Sequence, residues 1–224
     1  MKKITILFAL VLITSKLIAQ DCSKYLFMQP NKQVEMSAFN DKGQLVRKSL
    51  LTVKNVSTEN GMAVSQVVSE AKNSNGKLST LTINFKCNNG IIMVDMNFNG
   101  AQAAKPTANM KFNYVEYPAG MKVGDHLKDA LSPISIVEGS TTFTGTTKIT
   151  DRTVVAKESI TTPAGTWICF KITYKVIAKM DPVKGLQVPT QAFETNATEW
   201  FVPNFSVIKT QITGGMTIEI TSIK

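Results

Sequence analysis

The alternation of apolar and polar residues from Val34 onwards restricts this chain to a β fold. Short alternating runs are separated by Gly, Asn, Asp and Pro, which favour turns. Helical periodicity is nearly absent, and only residues 123–131 fit a short helix. We therefore predict an all-β fold: a strongly curved antiparallel sheet of meandering hairpins, open or closed like a barrel, because sheets of many strands tend to curl.

The clearest predicted hairpin is centred on Asn89 and Gly90. If these residues form a type I′ turn, which requires positive φ at both positions, the strand register is fixed. The predicted cross-strand pairs are Cys87–Ile92, Phe85–Val94, Ile83–Met96 and Leu81–Phe98. All eight side chains then share one face, so the turn chemistry and the apolar pattern agree.

A second hairpin is predicted near the C-terminus, around Gly214 and Gly215. A two-residue turn there would leave the apolar faces of the two strands mismatched. A three-residue loop that begins at Thr213 pairs Ile212 with Met216 instead. We therefore expect the longer loop, with its last glycine left-handed in a bulge.

Further strands are predicted at residues 34–39, 44–53, 62–70, 141–148, 153–160 and 166–177. The last of them follows a tight turn at residues 163–165 and has two distinct faces. The face with Ile168, Phe170 and Ile172 is predicted to join the core. The face with Trp167 and Cys169 is predicted to be solvated, as in a sheet that is wet on one side.

Two segments are predicted to interrupt the meander. Residues 99–107 suggest a loop, and the chain is expected to form one domain over residues 20–224, with two halves that meet around residues 99–131. Residues 179–189 form the second connection, and long connections in compact domains are either functional or mobile. Within it, Lys179, Pro182, Gly185 and Pro189 are candidates for a loop that gates a ligand.

Residues 1–19 have the features of an export signal. Lys2 and Lys3 precede an apolar run at residues 4–13. Leu17-x-Ala19 resembles a signal-peptidase cleavage motif, although Leu17 stands where a smaller side chain is usual. A membrane-spanning helix needs about 20 apolar residues, and Lys16 interrupts this run too early. We expect cleavage after Ala19 or Gln20 and export to the periplasm or cell surface, rather than an integral membrane protein. A retained N-terminal anchor is the alternative.

The mature chain would contain three cysteines, Cys22, Cys87 and Cys169, in an oxidising compartment. One disulfide with one thiol left over is the simplest arrangement, and any of three pairings satisfies it. We favour Cys22–Cys87, which would tie a mobile N-terminus to a hairpin end; the alternative is three free, mostly buried thiols. Lipidation of Cys22 is not expected, because Asp21 stands where a small residue is needed.

The chain is basic, with 25 Lys and Arg against 16 Asp and Glu and a formal net charge of +9. Without Lys2, Lys3 and Lys16 the balance is 22 against 16, a net charge of +6. These residues are scattered rather than gathered in a patch with aromatic residues, so nucleic acid is not an expected partner. An envelope glycan, anionic lipid or protein is a more plausible partner, and a solvated surface without one is the simplest interpretation.

No sequence motif indicates catalysis, a metal or a cofactor. His126 is the only histidine, and a zinc site needs three or four ligands. It also lacks a Gly-x-Ser-x-Gly nucleophile, so we expect no catalytic role for it. Glu194, Glu199 and Asp95 are interpreted as solvated or salt-bridged surface acids, because sequence cannot show two carboxylates held together in a cleft.

Four segments carry a resemblance to a known family. They are Thr162-Pro-Ala-Gly-Thr-Trp-Ile-Cys-Phe-Lys-Ile-Thr-Tyr174, Glu199-Trp-Phe-Val-Pro203, Val207-Ile-Lys209 and Cys87-Asn-Asn-Gly-x-x-x-Val-Asp-Met96. Together they resemble the TapB-like family of exported Bacteroidota proteins, which is related to a larger family of unknown function. The resemblance implies a periplasmic or surface-associated β protein and supplies no catalytic residues.

These features lead us to expect a non-enzymatic binding or interaction module of the cell envelope, which holds an apolar ligand or docks a partner. The alternatives are a hydrolase that acts on envelope polymers and a structural accessory of a surface assembly. Carboxylates clustered in a cleft would favour the hydrolase, and an apolar cavity would favour the binding module. Neither feature would favour the accessory.

Overall fold

A computed structural model describes residues 21–73, 76–96, 114–138, 141–183 and 191–224. Over these ranges twelve antiparallel strands form one sheet, and two 3-10 turns, Cys22–Lys24 and Leu26–Met28, are the only helical elements. The strands are β1 (Gln33–Phe39), β2 (Leu45–Glu59), β3 (Met62–Asn73), β4 (Leu78–Asn88), β5 (Ile91–Asp95), β6 (Tyr114–Tyr117), β7 (Ala130–Glu138), β8 (Thr141–Thr162), β9 (Gly165–Met180), β10 (Phe193–Val202), β11 (Ser206–Ile212) and β12 (Thr217–Ile223). The predicted all-β antiparallel class is confirmed.

The order of the strands is β6-β5-β4-β3-β2-β1-β12-β11-β10-β9-β8-β7. Two consecutive meanders, β1 to β6 and β7 to β12, therefore meet where β1 pairs with β12. On the far side β6 and β7 approach each other, and the Ser132 hydroxyl of β7 donates over 3.0 Å to the carbonyl oxygen of Met96, which directly follows β5. The sheet thus curls into a nearly closed barrel. We call the junction between β6 and β7 the seam.

The hairpin of β4 and β5 has the predicted turn and register. Asn89 and Gly90 have φ angles of 48° and 77°, as a type I′ turn requires. The paired residues include Phe85–Val94 and Cys87–Ile92. Because β5 ends at Asp95, the predicted pair Ile83–Met96 is not part of the ladder, and Phe98 lies outside the described residues.

The loop between β11 and β12 has the predicted three residues. Ile212 N donates to Met216 O over 2.9 Å, which closes the hairpin at the expected position. The prediction of a left-handed last glycine is wrong, since the positive φ, 69°, belongs to Gly214 and not to Gly215. Gly215 N donates to Ile212 O, so Gly214 occupies the third position of a four-residue turn, where type II geometry requires positive φ.

The strands predicted at residues 141–148 and 153–160 form one continuous strand, β8. Its register with β9 shifts between Thr150 and Thr153 and again between Val154 and Ala156. Asp151, at the first shift, has a φ of 57°. The chain therefore bends through β-bulges without leaving the sheet.

The faces of β9 agree only in part with the prediction. Phe170 is buried as expected, but Ile168 is 55% exposed. Cys169, predicted to be solvated, is fully buried, and the Trp167 ring stacks on Phe205 with centroids 5.8 Å apart. The bulges in β8 bend this hairpin, so the alternation expected of a flat sheet does not hold near its turn.

The helix predicted at residues 123–131 is absent from the structure, and that prediction is wrong. Gly124 N donates to Val154 O and Leu127 N donates to Arg152 O, both over 2.8 Å. Because its backbone groups bond to β8, this segment does not need helical hydrogen bonds. The φ of 98° at Gly124 is also incompatible with an α-helix.

The N-terminal segment, residues 21–28, packs against the concave face of the sheet. Leu26 N donates to Phe205 O over 3.0 Å, and the Ser65 hydroxyl donates to Phe27 O over 2.5 Å. The Phe27 ring stacks on Phe85 with centroids 4.7 Å apart. These contacts lie near the β4–β5 and β10–β11 turns, so the segment covers that end of the barrel.

A disulfide fastens this segment to the sheet. It joins Cys22 to Cys87 with the Cα atoms 5.8 Å apart, which confirms the favoured pairing, and it leaves Cys169 as a buried free thiol. The Tyr25 hydroxyl also donates to Gly90 O over 2.7 Å. The N-terminus is therefore held at the β4–β5 hairpin by one covalent bond and one buried hydrogen bond.

Candidate ligand-binding site

An outer cavity of about 450 Å³ lies on the concave face formed by β12 and β1 to β4. Short side chains line much of it, namely Ala38, Ser49, Ser69, Ala71 and Ser79. Protein interiors are normally filled by close-packed side chains, and these residues are too short to fill this one. The volume falls within the range of small-molecule sites, about 300 to 1,000 Å³.

An inner cavity of about 260 Å³ adjoins the outer one along the same face. Its walls are rich in aromatic residues: Tyr25, Phe27, Phe85, Tyr117, Phe201 and Phe205. Met36, Leu51 and Ile83 line both cavities, so the two spaces are direct neighbours. The N-terminal segment supplies part of the inner wall through Tyr25 and Phe27.

Beside the inner cavity, the seam contains a buried ion pair. The bulge at Asp151 precedes Arg152, which is 1% exposed and whose Nη2 lies 3.6 Å from Oε1 of Glu199, itself 5% exposed. Arg152 Nη1 donates to the carbonyl oxygens of Glu116 and Lys128, both over 3.0 Å. One side chain of β8 therefore bonds to β6, to the segment that precedes β7, and to β10.

Tyr117 completes this seam cluster. Its hydroxyl donates to Glu199 Oε2 over 3.0 Å, and its ring stacks on Phe201 with centroids 4.8 Å apart. The Arg152 guanidinium lies 5.0 Å from the Tyr117 ring centroid. Glu199 Oε1 and Arg152 Nε and Nη2 have no hydrogen-bond partner among the described residues. Nη2 and Oε1 therefore interact through the attraction between their opposite charges.

Burial sets the protonation of the cluster. It raises the pKa of Glu199 above the ordinary 4.5, because loss of water disfavours the charged form, while Arg152 and the Tyr117 hydroxyl act in the opposite direction. Burial also raises the pKa of Tyr117 and of Tyr174, and the negative charge of Glu199 adds to both shifts. The two phenols therefore stay protonated, and Tyr117 can donate to the carboxylate.

The structure does not bring the three predicted surface acids together. Glu194 is exposed and pairs with Lys175 over 3.5 Å, as predicted. Glu199 and Asp95 are buried, so the prediction is wrong for both; Asp95 is 7% exposed and accepts from Asn84 Nδ2 over 3.4 Å. A carboxylate can be buried when neighbouring strands supply donors, and those donors are not visible in the pattern of one strand.

His126 is exposed and lies alongside β8, with Nδ1 3.1 Å from the Thr153 hydroxyl. Within the described ranges no group of three or more His, Cys, Asp or Glu residues could hold a metal ion. Among the residues that the structure describes, no helix is long and apolar enough to cross a bilayer.

The predicted gating residues fall in different places. Lys179 lies within β9 rather than in a loop, and Pro182 is exposed just after that strand. Gly185 and Pro189 lie outside the described residues, as does the loop predicted at residues 99–107. A gating role for this connection stays a prediction.

Two arginines at or beside the cavities, Arg47 and Arg152, were not predicted from the sequence. Arg47 lines the outer cavity together with Ser49 and Leu51, two and four residues further along β2. The i, i+2 spacing from the apolar Leu51 is a signal that could have placed Arg47 on the inward face. For Arg152 no such signal exists, because the adjacent bulge breaks the alternation.

The fold and the cavities together define a class: an all-β protein whose nearly closed sheet surrounds an apolar space. A crystal structure of a candidate lipoprotein from Parabacteroides distasonis is similar, with a TM-score of 0.70 at 19% identity over 92% of this chain and 100% of that one. A candidate exported protein with a YmcC-like fold from Bacteroides fragilis gives 0.64 at 18% identity over 88% of this chain and 96% of that one. At these identities the likeness shows a shared fold alone.

The family follows from the sequence itself. The DUF3108-like family matches residues 30–212, and the chain belongs to it. No curated protein matches the chain.

Proposed function

We propose that this protein is a non-enzymatic binding protein of the cell envelope that holds an apolar ligand on the concave face of its sheet. The observation that carries the proposal is the pair of adjoining cavities, about 450 and 260 Å³, in the interior of a curled sheet. Small closed barrels fill this space with side chains or hold a ligand in it. Apolar walls favour an apolar guest, because each Å² of apolar surface removed from water contributes about 25 cal/mol.

Several observations support an envelope location. The leader at residues 1–19 is proposed to be cleaved, and the Cys22–Cys87 disulfide suits an oxidising compartment. The two similar structures are a candidate lipoprotein and a candidate exported protein. We propose the periplasm or the cell surface as the location, one domain over residues 20–224, and the TapB-like group as the narrower relationship within this family.

The cavity walls favour binding over hydrolysis. Glu199 is the one carboxylate among the described residues that line either cavity, and it is paired with Arg152. Hydrolysis of glycosidic bonds ordinarily uses two carboxylates about 5 to 10 Å apart. His126 lies outside both linings, and we propose no catalytic role for it and no cofactor.

A cavity-filling variant tests the proposal. Ala71→Phe places a ring in the outer cavity, which Ala71 lines. Lys72→Phe adds the same ring one residue further along β3, on the opposite and exposed face, and serves as the matched control. Binding of the neutral dye Nile red to the purified mature protein would be followed by fluorescence, and native mass spectrometry would detect any ligand retained from the cell.

We expect the native chain and Lys72→Phe to bind the dye in the same way, and Ala71→Phe to bind it at least tenfold more weakly. Circular dichroism would establish that both variants keep the β fold. Absence of dye binding by the native chain, or equal binding by the two variants, would contradict a ligand site in the outer cavity.

A further inference from the structure

We infer that the ligand is a single-chain amphiphile with an anionic headgroup, a carboxylate or a phosphate. In this arrangement Arg47 binds the headgroup in the outer cavity and the alkyl chain runs towards the inner cavity. The inference rests on the proposed function and specifies the ligand of the same site. Three features of the concave face carry it: its charge, its gradient of polarity and the arrangement of its two cavities.

The charge of the outer cavity is positive. Among the described residues that line it, Arg47 is the one charged residue and there is no carboxylate. Arg47 as a whole residue is half-buried, and its guanidinium makes no ion pair or side-chain hydrogen bond with any described residue. The neighbouring Lys48 differs, because it is exposed on the other face and pairs with Glu35 over 3.5 Å. A half-buried arginine without a counter-charge among the described residues favours an anion, and its planar guanidinium fits carboxylate and phosphate oxygens.

The polarity of the lining falls from the outer cavity to the inner one. Around Arg47 the outer cavity presents the hydroxyls of Ser49, Ser69 and Ser79, which can donate to an anionic headgroup. The shared walls are aliphatic, and most of the inner cavity is aliphatic or aromatic, with Met36 and Phe85 among its residues. The inner cavity also has the polar residues Glu199, Ser206 and Thr210, but no cation among the described residues that line it. The outer cavity therefore suits the anionic end of an amphiphile and the inner cavity suits its apolar end.

The strand register shows how the two ends are arranged. Arg47 pairs with Ala38, Ala38 with Ile218, Ile218 with Thr210, and Thr210 with Glu199. Direct cross-strand partners share a face, so this row runs along the concave face from Arg47 to Glu199. It crosses four strand spacings, about 19 Å along the curved sheet at about 4.8 Å each. The two cavities adjoin along this direction. This arrangement suits one alkyl chain that extends through both cavities better than two alkyl chains that lie side by side.

Glu199 fixes the direction of the ligand. It lies in the wall of the inner cavity, where a second anionic group would meet a carboxylate. Arg152 is fully buried behind Glu199 and is not among the described residues that line either cavity. The headgroup therefore belongs at Arg47 and the end of the chain belongs in the inner cavity.

The test compares four dodecyl compounds below their critical micelle concentrations, each displacing Nile red from the mature protein. Dodecanoate and dodecyl phosphate are the anions, dodecyl maltoside is neutral, and dodecyltrimethylammonium is cationic. Arg47→Gln removes the proposed contact. Lys48→Gln is the control, because it makes the same change of net charge on the opposite face of the same strand.

We expect at least one anion to bind more than tenfold more tightly than the neutral and cationic compounds, a difference of more than about 1.4 kcal/mol, because hydrogen bonds between two charged groups are stronger than those between neutral groups. Arg47→Gln should abolish that preference and leave affinity for the maltoside unchanged, whereas Lys48→Gln should keep it. The preferred anion identifies the source as a fatty acid or a phosphorylated lipid. Equal affinity for all four headgroups, or an unchanged preference in Arg47→Gln, would overturn the inference about the ligand. The proposed function would still stand in that case, provided that the native protein binds Nile red. If the native protein does not bind Nile red, both the inference and the proposed function are overturned.

Discussion

Arg152 offers the sharpest test of how the barrel is closed. Its guanidinium donates to the carbonyl oxygens of Glu116 and Lys128 and pairs with Glu199, so one side chain bonds to both sides of the seam. Arg152→Met keeps an unbranched side chain in this position and removes the charge and the donors. Glu199 would then be a buried carboxylate without its cation, and two carbonyl oxygens would lose their donor.

Removing one partner of a buried ion pair typically destabilises a protein by about 3 to 5 kcal/mol. For a chain of this size, 1 kcal/mol shifts the midpoint of thermal unfolding by about 2 to 4 °C, so the expected loss is about 6 to 20 °C. Circular dichroism of the disulfide-bonded mature protein, heated at pH 7.5, would measure it. The double variant Arg152→Met with Glu199→Gln removes both charges and should recover part of the loss, since replacing both members of such a pair is often close to neutral.

The pH dependence provides a second measurement on the same variants. Burial already raises the pKa of Glu199 and Arg152 lowers it, so removal of Arg152 raises the pKa further. For an acid whose pKa is raised on folding, the stabilisation by protonation is complete below the ordinary value of 4.5 and is lost as pH rises through the folded value. The loss of thermal stability in Arg152→Met, relative to the native chain, should therefore become smaller as the pH falls from 7.5 towards 5. The loss in the double variant should not change in this way. A single variant as stable as the native chain at pH 7.5 would refute the role assigned to the ion pair.

Two further predictions concern the ends of the molecule. Replacing both Cys22 and Cys87 by Ser should lower the free energy of unfolding in urea by about 2 to 5 kcal/mol, because the bond closes a loop between residues 65 apart; an unchanged urea midpoint would contradict this. Gly214→Ala should cost about 1 to 2 kcal/mol because its φ is 69°, whereas Gly215→Ala, at a residue without positive φ, should be nearly neutral. Equal effects of the two glycine variants would show that φ at Gly214 does not control the turn.

Local patterns of the sequence predicted most of the fold. The Asn89-Gly90 turn fixes the register of its hairpin because only certain residues adopt positive φ at both positions. The favoured Cys22–Cys87 pairing depends on the same hairpin, because Cys87 lies at its end, where a disulfide ties down the N-terminus. The predictions failed where distant strands decide the outcome. Residues 123–131 obtain their hydrogen bonds from β8, which no local pattern could show.

The residues in and beside the candidate site were harder to predict for a related reason. Arg152 and Glu199 are 47 positions apart in the sequence, and their pairing depends on a bulge and on the curvature of the whole sheet. Each would be costly to bury alone, so a charged residue in a strand is ordinarily assigned to the surface. The cavities are also a property of the curled sheet, because the same alanines and serines on a flat sheet would enclose no space.

The seam and the proposed ligand site share a wall, and this connects closure to binding. Tyr117 stacks on Phe201 and donates to Glu199, and all three residues also line the inner cavity. A chain that reaches the inner cavity contacts the side chains that hold β6 against β10. A ligand that binds only the folded, closed form stabilises it by about 2.7 kcal/mol at a free concentration 100 times its dissociation constant. In the proposed complex, the ion pair at the seam and the alkyl chain in the cavity would therefore stabilise the same closed barrel, although Arg152 itself lies behind the cavity wall.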